Sequence, residues 1–252
     1  MHTDFILSDI FEIVDDAIMS ASTIGQNISH YPLCEYILQS VFLRLTGYQE
    51  QKLKCILWEI ASNDFEFRYK YLNGSINVGE CSRLEDKDKV YNVLKKTLED
   101  NGRTFPFPNE DETNRQISEI IDKLKLKFET TIFKNWLPRE YSRFIDFSKK
   151  IRYRANGYFT TNGIFGGDNS LNESFEKLYK HRNRCAHNLL SYQGNVPKLD
   201  DLIKDNDGSD NYFTRILLIC MVDNVFTCMF KHYIKKKQMN IFFINKSVKS
   251  LP

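Results

Sequence analysis

YFTRILLICMVDNVFTCMF, residues 212–230, decides the fold. Ile216, Leu217, Ile219, Cys220, Val222, Val225, Phe226 and Met229 leave this stretch almost no polar face. A helix apolar nearly all round sits at the centre of a bundle or in an interface between chains. Other elements must then cover it, and the periodicity of the remaining sequence is helical almost throughout. Phe5, Ile6, Ile10, Ile13, Val14, Ala17 and Ile18 make one apolar stripe over residues 4–22. After the break SHYP (29–32), a second run starts at Leu33 and carries Ile37, Leu38, Val41, Phe42 and Leu45, then Leu53, Ile56, Leu57 and Ile60. Gly47 can bend this helix without ending it. Residues 63–80 are ambiguous and can extend it to Leu72 and then turn at Asn73-Gly74.

A shorter helix is expected over 84–99, around Val90, Val93, Leu94 and Leu98. NGRTFPFPNEDET (101–113) reads as a linker, so a boundary near residue 105 and a long loop within one elaborated domain (1–252) both remain open. Thr113 is a candidate N-cap for the helix carrying Ile117, Ile120, Ile121, Leu124 and Phe128. Pro138 suits the first turn of the next. ANGYFTTNGIFGGDNS (155–170) has glycines without phosphate-loop spacing and is read as a turn region. Ser170 or Asn172 is expected to cap the helix that follows, over about 171–193. The fold class predicted is all-α.

Composition narrows the function. The 252 residues hold 19 Phe and 13 Tyr but only 11 Gly and 6 Pro, which favours long elements over turns or disorder. A net charge of +2 excludes a strongly basic coat, though not a local basic patch. Six cysteines are scattered at 34, 55, 81, 185, 220 and 228, without a C-x-x-C pair or zinc spacing, and are expected to be reduced and buried. No metal or other cofactor is expected. The acidic N-terminal run is unlike a signal peptide. No window of about 18 apolar residues exists, so nothing is expected to span a membrane and the location inferred is cytoplasmic.

KLYKHRNRCAHNLL, residues 177–190, interrupts this pattern. On one helix the apolar stripe runs Phe175, Leu178, position 182, Cys185 with Ala186, and Leu189. Position 182 holds Arg182. An arginine there must be paired, face an internal cleft, or meet a second chain, because unpaired burial costs several kcal/mol. Asn183 and His187 lie four apart on one face, where the amide can hold the imidazole in one tautomer. Arg182 and His187 are five apart, about 140° around the axis, so a phosphate lying across the helix meets both. Cleavage of RNA without metal needs a base for the 2'-hydroxyl, an acid for the leaving oxygen and positive charge on the phosphorane. Histidine and arginine supply these. The spacing alone arises easily by chance. The Asn after the Arg, the Ala before the His and the break in the apolar stripe sharpen it.

RNRCAH resembles the R-x4-6-H signature of the HEPN superfamily, whose members often carry a polar residue directly after the Arg. The resemblance implies a helical bundle, dimeric through facing motif helices, and a metal-independent endoribonuclease leaving a 2',3'-cyclic phosphate. It implies a toxin or an antiviral abortive-infection effector, held in check by an antitoxin or regulatory protein. Arg182 and His187 would be the catalytic pair and Asn183 their support. The alternative is a non-catalytic helical module of the same kind that binds a nucleotide or a protein. Further candidates for RNA contact are His181, Arg184 and Tyr192 beside the motif, and Arg152 and Arg154 in KKIRYRANGYF (149–159), where basic and aromatic residues mix. Each has a blander reading as core or solvated surface. The basic tail (231–250) is either a solvated end or a patch for RNA or a membrane surface.

Overall fold

The computed structural model describes residues 2–22, 24–25, 31–99, 105–152, 158–161, 163–166, 168–187 and 210–249, with residues 31, 187 and 240–249 described by backbone alone. The expected stripe over 4–22 forms two helices, α1 (His2–Leu7) and α2 (Phe11–Ala21). The chain breaks between them because local side chains take the backbone groups: Ser8 Oγ donates to the Phe5 carbonyl and Asp9 Oδ1 accepts from Phe11 N–H. α3 (Tyr31–Asn63) runs unbroken through Gly47. α4 (Phe65–Leu72) is separate, since the Asp64 side chain caps it on Phe67 N–H, and the chain turns at Asn73-Gly74. α5 (Leu84–Leu98) follows.

α6 (Glu110–Glu129) is capped by Asn109, whose side chain accepts from Glu112 N–H. Thr113, the expected cap, lies one turn inside and gives its hydroxyl to the Asn109 carbonyl. α7 (Phe133–Trp136) and α8 (Pro138–Arg152) come next, the latter opening at Pro138 as expected. The glycine-rich region contains a two-stranded antiparallel hairpin, β1 (Phe159–Thr160) with β2 (Gly163–Ile164), where the sequence suggested only a turn. Gly163 has φ +124, and a Cβ there would meet Asp88 Oδ1 at 2.9 Å. That carboxylate accepts from Ile164 N–H and ties the hairpin to α5. α9 (Asn169–His187) is capped by Asp168, which accepts from the N–H groups of Ser170 and Leu171, rather than by Ser170 or Asn172. α10 (Tyr212–Lys249) closes the described chain, and the fold is all-α.

α10 is the axis, with α1, α3, α5, α6, α8 and α9 all packed on it. Its face between Phe213 and Phe230 is buried, and the buried residues form one cluster drawing on both sides of the 101–113 segment. The expectation that no window is long and apolar enough for a membrane is corrected: Tyr212–Met239 meets that length and composition. Most of that window is buried among the other helices, as in a central core helix. Two lysines of the basic tail are spent inside the fold. Lys236 Nζ donates to the Thr97 carbonyl at the C-terminal end of α5, and Lys237 pairs with Glu59.

The two longest helices meet across polar groups as well as apolar ones. Lys52 of α3 and Asp223 of α10 form an ion pair of 2.9 Å with side chains 1% and 6% exposed. The same ammonium donates to the Ser8 carbonyl and lies 5.1 Å from the centre of the Tyr48 ring. Gln49 Nε2 donates to the Ile219 carbonyl, and the Tyr48 hydroxyl meets Ser8 Oγ. The pair thereby fixes the rotation of α3 against α10 and anchors the α1–α2 turn over both. Breaking it strands a buried charge. Lys52→Met or Asp223→Asn alone is expected to lower the unfolding free energy by about 3–5 kcal/mol in urea titrations, and the double variant Lys52→Met/Asp223→Leu to recover most of that loss.

Candidate functional site

Asp168 sets the start of α9, and its apolar stripe then packs as its spacing requires: Leu171, Phe175 and Leu178 are buried. The next position on that stripe carries Arg182 to the edge of the core. Arg182 Nη2 lies 3.1 Å from Glu50 Oε2 of α3, with the two side chains 24% and 14% exposed. Nη1 donates to Asn183 Oδ1 at 3.2 Å. Of the three placements open from sequence, pairing within the chain is the one found. The pairing leaves part of the guanidinium open to solvent.

Other side chains extend this contact. Tyr179, one turn before Asn183, accepts from Arg83 Nε at 3.3 Å, and that guanidinium stands 5.6 Å from the centre of the tyrosine ring. Hydrogen bonds from Arg83 and then Asn183 hold the Tyr179 phenol below its ordinary range. A polar chain therefore runs from Arg83 through Tyr179, Asn183 and Arg182 to Glu50. Lys87 of α5 shares a crevice with Glu50, Tyr179 and Arg182 whose volume, about 10 Å³, suits no more than a water molecule. Its ammonium donates to the Cys81 carbonyl at 2.7 Å and lies 5.8 Å from the centre of the Phe175 ring. Burial pushes the Lys87 pKa down to about 8, with the Glu50 carboxylate opposing the shift and Arg182 adding to it. Arg182 and Lys87 thus share the Glu50 carboxylate, while Arg83 stands beyond Tyr179 with Asp86 and Glu85 near it. The chemistry on offer is recognition of an anion, with a phenol biased toward ionisation beside it.

His187 is the last described residue of α9, one helical turn beyond Asn183; its side chain lies outside the described set. Tyr192 and Arg154 also lie outside the described residues. His181 does not join the Arg182 face. Its ring packs 5.4 Å from Phe42 and 5.3 Å from Tyr212, and Nε2 is 3.2 Å from the Tyr212 hydroxyl. Burial, then the charges of Arg215 and Arg184, pull its pKa down to about 3. The ring thus takes a packing position between Phe42 and Tyr212, on a side of α9 away from Glu50. Arg184 reaches back to His181 Nδ1 at 3.4 Å, on that side of the helix. Arg152, the last described residue of α8, pairs with Asp122 of α6. α8 packs chiefly on α6, α7 and α10, whereas α9 packs chiefly on α3, α5 and α10, so among the described residues Arg152 sits on a helix with a different set of main neighbours from the motif helix.

Sequence reasoning missed Glu50, Arg83, Lys87 and Tyr179. Tyr179 had a signal, being four residues before Asn183 on one face. Glu50 had a fainter one: TGYQEQK, residues 46–52, interrupts the aliphatic stripe between Leu45 and Leu53. Thr46, Gln49 and Lys52 within it are all buried. Among the described residues, no group of three or more His, Cys, Asp and Glu could hold a metal ion. Compared with protein-family models, curated proteins and solved structures, the chain matches none.

The site has a titration signature. Between the folded Lys87 pKa of about 8 and the ordinary 10.5, the unfolded chain binds the extra proton, so this residue makes stability rise with pH through that window. Denaturant titrations at several pH values are expected to show wild type gaining on Lys87→Met by about 1.4 kcal/mol per pH unit there, with parallel curves well below it.

Proposed function

We propose that the chain is a metal-independent endoribonuclease of the HEPN kind, with Arg182, Asn183 and His187 as its active residues. The observation that carries the reading is the state of Arg182. Its guanidinium is oriented on two sides, by Glu50 and Asn183, yet remains partly open, as a preorganised phosphate contact should be. Arg182 would stabilise the charge that develops on phosphorus during attack by the 2'-hydroxyl. His187 would move the proton, giving a 2',3'-cyclic phosphate and a free 5'-hydroxyl. Asn183 would orient the imidazole. Arg83 and Lys87 would add positive potential beside the scissile phosphate.

The small crevice beside Arg182 does not by itself enclose a nucleotide. A second motif helix across a two-fold axis would supply the missing wall, which is why the reading includes a homodimer. Production of such an enzyme as a toxin or defence effector, with a restraining partner, follows from the danger of unrestrained RNA cleavage. A second reading rests on the same ion pair: Arg182–Glu50 fastens α9 to α3, and the chain is a non-catalytic binding module.

Incubation of the purified protein with RNA in EDTA separates the two. The nuclease reading expects cleavage products ending in a 2',3'-cyclic phosphate, reduced about 10²–10⁴-fold in His187→Ala. Activity in His187→Ala equal to wild type, or wild-type RNA left intact under every activating condition, would leave the binding module.

A further inference from the structure

A larger cleft adjoins the crevice at Arg182. It measures about 410 Å³, within the range of small-ligand sites, and its walls include Gln51, Lys54 and Trp58 of α3, Tyr71 of α4, and Glu80. Cys81 lines this cleft and Ser82 lines the crevice, so one stretch of chain walls both. The two also adjoin along α3. Glu50 lines the crevice, and Lys54 and Trp58 follow it at i+4 and i+8 on one flank of the helix. The dividing stretch is fixed by its own contacts. Gly79 and Cys81 both have left-handed backbones, with φ +65 and +62. A Cβ at Gly79 would meet Asp86 Oδ1 at 2.5 Å. The Cys81 carbonyl accepts from the buried Lys87 ammonium at 2.7 Å. A left-handed residue other than glycine, held in place by a buried lysine, is the kind of local strain that clusters at ligand sites.

Trp58 points to the ligand. It is 48% exposed, and among the described residues no other ring is paired with it. Tyr71, by contrast, is already stacked on Phe67, with centroids 5.8 Å apart. An open indole at the wall of a cleft offers a face on which a planar group stacks. Gln51 carries both a donor and an acceptor for the edge of such a group. Lys54 and Glu80 pair at 2.9 Å and offset each other's charge, so the cleft does not select a charged head. Beside a face that recognises an anion, a planar polar group is the base of a nucleotide. Unpaired bases are the part of RNA that proteins stack on aromatic side chains. Trp58 lies about 12 Å along α3 from Glu50, a span that the sugar and base of a nucleotide next to the bound phosphate cover. We propose that this cleft is a base subsite: a base of single-stranded RNA stacks on Trp58 while the adjoining phosphate lies at Arg182. Duplex RNA keeps its bases stacked on one another and does not enter. The subsite rests on the proposed reading of Arg182 as a contact for RNA phosphate, and needs no cleavage.

Tryptophan emission reads the stacking directly. The chain has two tryptophans, and Trp136 packs against the core, so Trp136→Phe leaves Trp58 as the reporter. The full chain carrying Trp136→Phe, with His187→Ala to keep RNA intact, is titrated with short oligoadenylate, oligocytidylate and oligouridylate, and with the adenylate–uridylate duplex. Saturable quenching by at least one single strand is expected, with little from the duplex. A second measurement does not depend on the Trp136 variant: the Kd of His187→Ala for a labelled single strand. Adding Trp58→Ala should raise that Kd about tenfold, and Trp58→Phe should preserve most of the affinity. An unchanged Kd in folded Trp58→Ala, a bound strand that leaves Trp58 emission unaltered, or failure of every strand to bind would overturn the inference. Quenching by duplex equal to that by single strand would do the same. So would Trp58 emission that changes with protein concentration before RNA is added, since a second copy then covers the ring. Wild-type cleavage beside an unchanged Trp58→Ala Kd would keep the nuclease reading and remove the subsite. Quenching without cleavage would keep the subsite, on a binding module.

Discussion

The ion pair between Lys52 and Asp223 is the constraint on which the rest of the structure depends. Two charges are sealed between the longest helices, and each has only one rotation in which it is matched. With that rotation fixed, Gln49 finds the Ile219 carbonyl, Ser8 finds Lys52 and Tyr48, and Glu50 emerges on the side of α3 that α9 covers. Apolar packing against α10 would tolerate several rotations of α3. The buried polar groups select one.

That selection reaches the Arg182 contact. Residues 49–52 of α3 point Gln49 and Lys52 at α10 and Glu50 at Arg182 within one helical turn. The Arg182 guanidinium is oriented by a carboxylate whose own position is set by the buried seam. A single turn of α3 therefore sets both its contact with α10 and the pairing of Arg182.

The helical class was legible because apolar spacing survives in nearly every segment, and residues such as Leu171, Phe175 and Leu178 are buried where that spacing puts them. Arg182 was legible as an anomaly for the same reason. Its resolution was not, since Glu50 lies 132 positions away and nothing local names it. Lys87 and Lys52 read as ordinary charged positions of amphipathic helices, and only packing shows them buried. The split of α1 from α2 and the Asp168 cap turned on side chains competing for backbone groups, which periodicity does not report. His181, two residues before Asn183 in sequence, belongs to a different face, where it packs on Phe42 and Tyr212 and burial lowers its pKa.

The central claim is that Arg182 is held for recognition of phosphate rather than only to fasten α9. RNA cleavage and thermal unfolding of Arg182→Lys, measured on the same preparation, test it most directly. Lysine keeps the charge and can still meet Glu50, but it loses the planar fork that grips a phosphate while contacting Asn183. The account predicts a melting temperature close to wild type with cleavage reduced about 10²-fold or more. Cleavage at the wild-type rate in this variant would contradict it.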